Sequence, residues 1–127
     1  MSRKTFLIIA GILPIFFGLN MMFNPKIMLD MVAIETNLSA TMILQWMSCP
    51  LITIGVMSLL ARNDAGSVAL KAILIGNILV HALGMGVDVY QFAIGWIKVS
   101  GVVFGAVLHI GLAAGFAFYL VRLPKPA

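Results

Sequence analysis

The chain has 127 residues, 62% of them hydrophobic and 9% charged, with a net charge of +4 and a mean hydropathy of +1.12. Soluble domains are closer to half apolar and a quarter charged, and short domains bury the smallest share of their surface. A water-soluble globule is therefore excluded, and lipid must cover most of the exterior. The basic residues are scattered, with no cluster beyond Arg3-Lys4, which excludes a phosphate-binding nucleic-acid surface. Cys49 stands alone, which excludes a disulfide framework and a cysteine metal motif.

About 20 apolar residues cross a hydrocarbon core, and four stretches qualify. The first is 5–23, containing Pro14. Arg3-Lys4 before an apolar run begins like a secretory signal, but no small-residue cleavage pattern follows, so the run is read as a retained span. The segment "FNPKIMLDMVAIETN" comes next. Asn24 as cap and Pro25 at the first helical position predict a short amphipathic helix over 25–34, lying in the membrane interface. Its apolar face is Ile27, Met28, Met31, Val32 and Ile34, opposite Lys26, Asp30 and Glu35.

The second span is 40–61, with Pro50 at its centre, and "ARNDAGS" makes a polar turn in which Ser67 is a helix cap. Spans over 67–90 and 98–121 then form an antiparallel hairpin across "QFAIGW". Both prolines are expected to free a carbonyl and bend their spans. Met21, Met22, Met42, Met47 and Met57 read as lipid-facing filler rather than a metal site. The expected fold is all-α: a single membrane domain, an up-down-up-down four-helix bundle with one interfacial helix between the first two spans.

Basic residues beside the spans set orientation. Arg3, Lys4, Arg62, Lys71, Arg122 and Lys125 lie on one side, and Lys26 and Lys98 on the other. Six against two places both termini in the cytoplasm. Trp46, Tyr90 and Trp96 then fall at the outer interface, where amphipathic rings collect.

The third span, "GNILVHALGMGVDVYQ", carries Asn77, His81 and Asp88. At about 100° per residue these project within roughly 40° of one another, with Gly84 near the same line. An ionisable side chain facing lipid costs about 3 kcal/mol or more, so the stripe must face protein or a cavity. Asn20, Gln45 and His109 sit at compatible depths on the other spans, and the two histidines are expected at matched depth. Asn20, Gln45, Asn77, His81, Asp88 and His109 are thus the candidate polar pocket, in the outer half of the bundle.

Four readings remain open for it. The groups can join helices by interhelical hydrogen bonds. They can line a pocket for a small molecule or a lipid head group. His81 and His109 can ligate a haem or other tetrapyrrole between neighbouring helices. His81 and Asp88 can carry protons or ions. On the fourth span Gly101 and Gly105 are four apart, as are Gly111 and Gly115. Small residues at that spacing let helices pack closely, within the chain or against another subunit.

A first span ending in "FGLNMMFNP", a second with "LITIGVMSLLAR", a polar turn, a polar-dotted third span and a Gly-rich fourth resemble the DoxX-like group of small bacterial four-helix membrane proteins. That resemblance implies a left-handed bundle in the bacterial inner membrane and an accessory role beside a redox or other membrane complex. Members often have a basic residue in the third span where this chain has Asn77 and His81, and no site residue is carried over. No metalloprotease motif, phosphate loop or nucleophile–base pair is present. The chain is therefore read as a non-enzymatic accessory subunit, self-associating or bound to other membrane proteins, with small-molecule or lipid binding as the alternative.

Overall fold

The computed structural model describes residues 1–32, 34–97 and 99–123. Helices α1 (Arg3–Phe23), α2 (Pro25–Met31), α3 (Leu38–Leu60), α4 (Val68–Ala93) and α5 (Val99–Val121) follow in chain order, with no strand among the described residues. Four of them, α1, α3, α4 and α5, are long and apolar enough to cross a membrane. The chain is an all-α four-helix bundle. Lys98 and Lys125, both counted in the charge asymmetry, lie outside the described residues.

Local chemistry sets the helix ends. Ser2, Asn37 and Ser67 each accept a backbone N–H at the start of α1, α3 and α4, from Thr5, Ala40 and Leu70 respectively, which satisfies a donor that no helical carbonyl can reach. Asn24 takes the cap position before Pro25, as expected, but its side chain makes no cap bond. Its own N–H instead closes α1 on the Asn20 carbonyl at 2.7 Å. Helix α2 is shorter than the expected 25–34: it stops at Met31, and the residue it buries is Leu29. Lys26 and Asp30 pair at 2.6 Å on its exposed side. Helices α1 and α3 run unbroken through Pro14 and Pro50. Gly66 and Gly95, at φ 136° and 77°, make the turns before and after α4, where a side chain would strain the backbone.

Two antiparallel pairs, α1 with α3 and α4 with α5, build the bundle. In the first, the register sets Gly11 against Gly55 and Gly18 against Ser48, both pairs seven residues apart. A Cβ on Gly55 would stand 2.5 Å from the Gly11 carbonyl oxygen, and one on Gly11 would stand 2.8 Å from that of Gly55. The backbones touch because neither residue has a side chain. In lipid this contact matters more than apolar burial, since acyl chains are as apolar as leucine.

The two pairs join at one end. Phe6, Leu7, Ala10, Ala61, Leu70, Leu74 and Phe116 form a continuous buried core there, with Phe6 edge-on to Phe116 at 4.9 Å. The Tyr119 hydroxyl donates to the Met1 carbonyl at 2.6 Å, and Arg3 donates to the carbonyl of Asp64. The described chain ends and the 61–67 turn thus share one end of the bundle. Toward the other end the pairs are held apart, and α2 folds over the opening.

Candidate functional site

The opening is a cavity of about 410 Å³. Leu13, Pro14, Phe17 and Met21 of α1 face it, with Met28 and Met31 of α2, Leu51 of α3, and Phe104, Leu108 and Leu112 of α5. Met21, expected to face lipid, lines this space instead. Among the described residues, the polar side chains lining it are His81 of α4 and His109 of α5.

These two imidazoles meet. Nδ1 of His81 and Nδ1 of His109 are 3.1 Å apart, a hydrogen bond in which one ring donates and the other accepts. On its far side, Nε2 of His109 stands 3.8 Å from Oδ2 of Asp88, close enough for electrostatic attraction but longer than a hydrogen bond. Phe116 stacks against the other part of His81, ring centroids 5.9 Å apart and planes at 19°. Asp88, His109 and His81 therefore form a chain of polar groups that begins two turns away on α4 and ends at the cavity wall.

Two glycines make room for it. A Cβ on Gly84 would stand 2.8 Å from Cε1 of His109, and a Cβ on Gly105 would overlap the Asp88 carboxyl. Each ring or carboxyl on one helix lies against bare backbone on its neighbour. That close approach lets the short Asp88 side chain reach a histidine on another span.

The structure brings together His81, Asp88 and His109 and leaves the other three candidates apart. Asn20 donates to the Phe16 carbonyl at 2.8 Å and Asn77 to that of Ile73 at 2.8 Å, each within its own helix. Gln45 donates to the Met22 carbonyl at 3.0 Å, joining α3 to the end of α1 away from the histidines. The expectation of one cluster drawing on all four spans is corrected: amides found a carbonyl one turn back or on the adjacent helix end, and such local bonds compete with distant ones. Asn77 is buried at 5% exposure, and its Oδ1 has no partner.

The glycines of α5 do not act as pairs. Gly105 faces Asp88 and Gly115 faces Phe6, both inside the chain, while Gly111 has open space beyond it and Gly101 borders the cavity. Neither Phe116, which backs His81, nor the paired seven-residue spacing of Gly11, Gly18, Ser48 and Gly55 is among the residues expected from the sequence. The spacing was legible; the role of Phe116 was not.

The tetrapyrrole expectation uses His81 and His109 on opposite faces of one iron. Two nitrogens each about 2 Å from a metal would stand about 4 Å apart with their lone pairs converging. The two Nδ1 atoms, 3.1 Å apart, are hydrogen-bonded to each other, so ligation through them would require that bond to break. Among the described residues, no three His, Cys, Asp or Glu side chains gather as a metal site. Comparisons with protein-family models, with curated proteins and with solved structures return no match for this chain.

Proposed function

We propose that this protein is a membrane-embedded binding protein for an apolar small molecule, held between α1, α2 and α5 against the His81–His109 pair. One observation carries this reading: an apolar space of about 410 Å³ whose polar lining is two coupled imidazoles. Ligand sites are typically some 300–1,000 Å³, mostly apolar, with a few placed polar groups. Helix joining alone requires the histidine contact but no cavity beside it, because interiors otherwise pack close to full.

The accessory-subunit reading stands second. It drew on the glycines of α5, and two of them, Gly105 and Gly115, are occupied by partners within the chain. The binding reading includes no chemical turnover. The membrane proposed is a bacterial inner membrane with both chain ends in the cytoplasm, supported by the six-to-two asymmetry of basic residues.

Native mass spectrometry of the protein released from membranes in mild detergent tests the binding reading. The expected result is a small apolar molecule bound one to one, lost in Leu108→Trp, which fills the cavity, while helical content is retained. Wild-type protein without such a molecule, or equal occupancy in the variant, would overturn it.

A further inference from the structure

With the one negative charge on Asp88 and both imidazoles uncharged, the polar chain at the cavity wall has a direction, and that direction selects the ligand's chemistry. With Asp88 as a carboxylate, the nitrogen of His109 that faces it, Nε2 at 3.8 Å, favours carrying the proton, because an N–H is attracted to the carboxylate and a lone pair is repelled. A neutral His109 protonated at Nε2 has a bare lone pair at Nδ1. The 3.1 Å contact between the two Nδ1 atoms then requires His81 to supply the N–H. A neutral His81 protonated at Nδ1 has its remaining lone pair at Nε2. That atom has no hydrogen-bond partner among the described residues, and it is not among the polar atoms sealed in the packing. His81 lines the cavity, and an Nε2 turned toward that space makes the wall an acceptor.

We infer that the cavity takes an uncharged apolar molecule bearing a hydroxyl group, which donates to Nε2 of His81. This rests on the binding function proposed above. Among the described residues the cavity lining has no Lys, Arg, Asp or Glu, so a carboxylate, phosphate or ammonium group would enter a low-dielectric space without a counter-charge from them. A ketone, ester or ether has only acceptors and would meet an acceptor. An amide can donate its N–H but would leave its carbonyl without a donor. A hydroxyl matches the single acceptor and strands no strong group. Phenols and long-chain alcohols share this chemistry, and Phe17 and Phe104, edge-on to each other at 6.3 Å, form part of the wall.

The test uses the full chain in lipid nanodiscs and three probes: 4-octylphenol, its methyl ether 4-octylanisole, and dodecanol. Occupancy is measured by native mass spectrometry against probe concentration. The expected result is binding of octylphenol at least about tenfold tighter than the ether. That preference disappears in His81→Phe, which keeps an aromatic ring on Phe116 but has no acceptor, while binding of the ether is unchanged. Asp88→Asn, which releases the preference of His109 for one tautomer, reduces the preference several-fold. If His81→Phe does not fold, His109→Phe keeps the His81 ring but removes the acceptor that fixes its tautomer, and is expected to reduce the preference several-fold. Tight binding of dodecanol widens the class to aliphatic alcohols, and weak binding narrows it to phenols. Equal binding of phenol and ether to the wild type overturns the hydroxyl inference and leaves the cavity reading intact. Binding of none of the three removes the cavity reading itself.

Discussion

Gly84 lies against the imidazole of His109, and a methyl group there would stand 2.8 Å from Cε1. The histidine pair is thus held as much by what α4 lacks as by what it carries. Gly84→Ala is expected to displace His109 from His81 and to destabilise the bundle by about 1–3 kcal/mol, the usual range for overpacking. Gly86→Ala, two residues on with open space around it, is the control and should be neutral or slightly stabilising. Thermal unfolding in detergent measures the cost, and histidine ring nitrogen NMR reports whether the Nδ1 contact survives.

The seam between α1 and α3 should be less forgiving. At Gly55 the obstruction is the Gly11 carbonyl oxygen, 2.5 Å from a built Cβ, and a backbone atom cannot swing aside. Gly55→Ala is expected to cost at least as much as Gly84→Ala and to part the two helices locally. Gly76→Ala, with nothing within 4 Å, should leave the melting temperature unchanged. An equal effect at both positions would show that helix contact is not the cause.

Acid should weaken the turn before α4. Asp64 accepts from the Ser67 hydroxyl at 2.6 Å and from the N–H groups of Gly66 and Ser67, both at 2.8 Å. These bonds, the hydroxyl first, hold its carboxyl below the usual value of 3.8, at about 2. A group with a lowered folded-state value favours the fold when ionised. Its contribution is complete above about pH 4 and is lost as the pH falls through about 2. Melting temperature measured from pH 5 to pH 2 should fall in the wild type. Asp64→Ala should melt lower at neutral pH and lose that part of the acid dependence.

Orientation can be read with single cysteines in a Cys49→Ala background. Ser2, Asn63 and Thr36 are all exposed. Ser2→Cys and Asn63→Cys should react with a membrane-impermeant maleimide only after cells are opened, and Thr36→Cys in intact spheroplasts. The reverse pattern would invert the proposed topology and leave the cavity as described.

Much of the fold was legible in one dimension. Removing a helix backbone from water into hydrocarbon demands a long apolar run with its hydrogen bonds closed internally, so span positions and lengths follow from residue order. The bounds of α1, α3, α4 and α5 accordingly lie within a few residues of expectation, while α2, short and interfacial, stops earlier than its pattern suggested. Counting at about 1.5 Å per residue put His81 and His109 at one depth, and their rings meet.

Depth and angle along one helix do not name a partner on another. Asn20, Gln45 and Asn77 had suitable depth, yet Asn20 and Asn77 settled on a carbonyl one turn back, because a short-range acceptor costs less ordering than a distant one, and Gln45 took the Met22 carbonyl at the end of α1. Tertiary structure alone decided that Gly84 and Gly105 would admit His109 and Asp88, that Phe116 would back His81, and that the helix pairs would close at one end and leave a cavity at the other. Residue order determines which segments enter lipid. Which side chains touch there depends on how closely the backbones can approach, and that is a property of two helices at once.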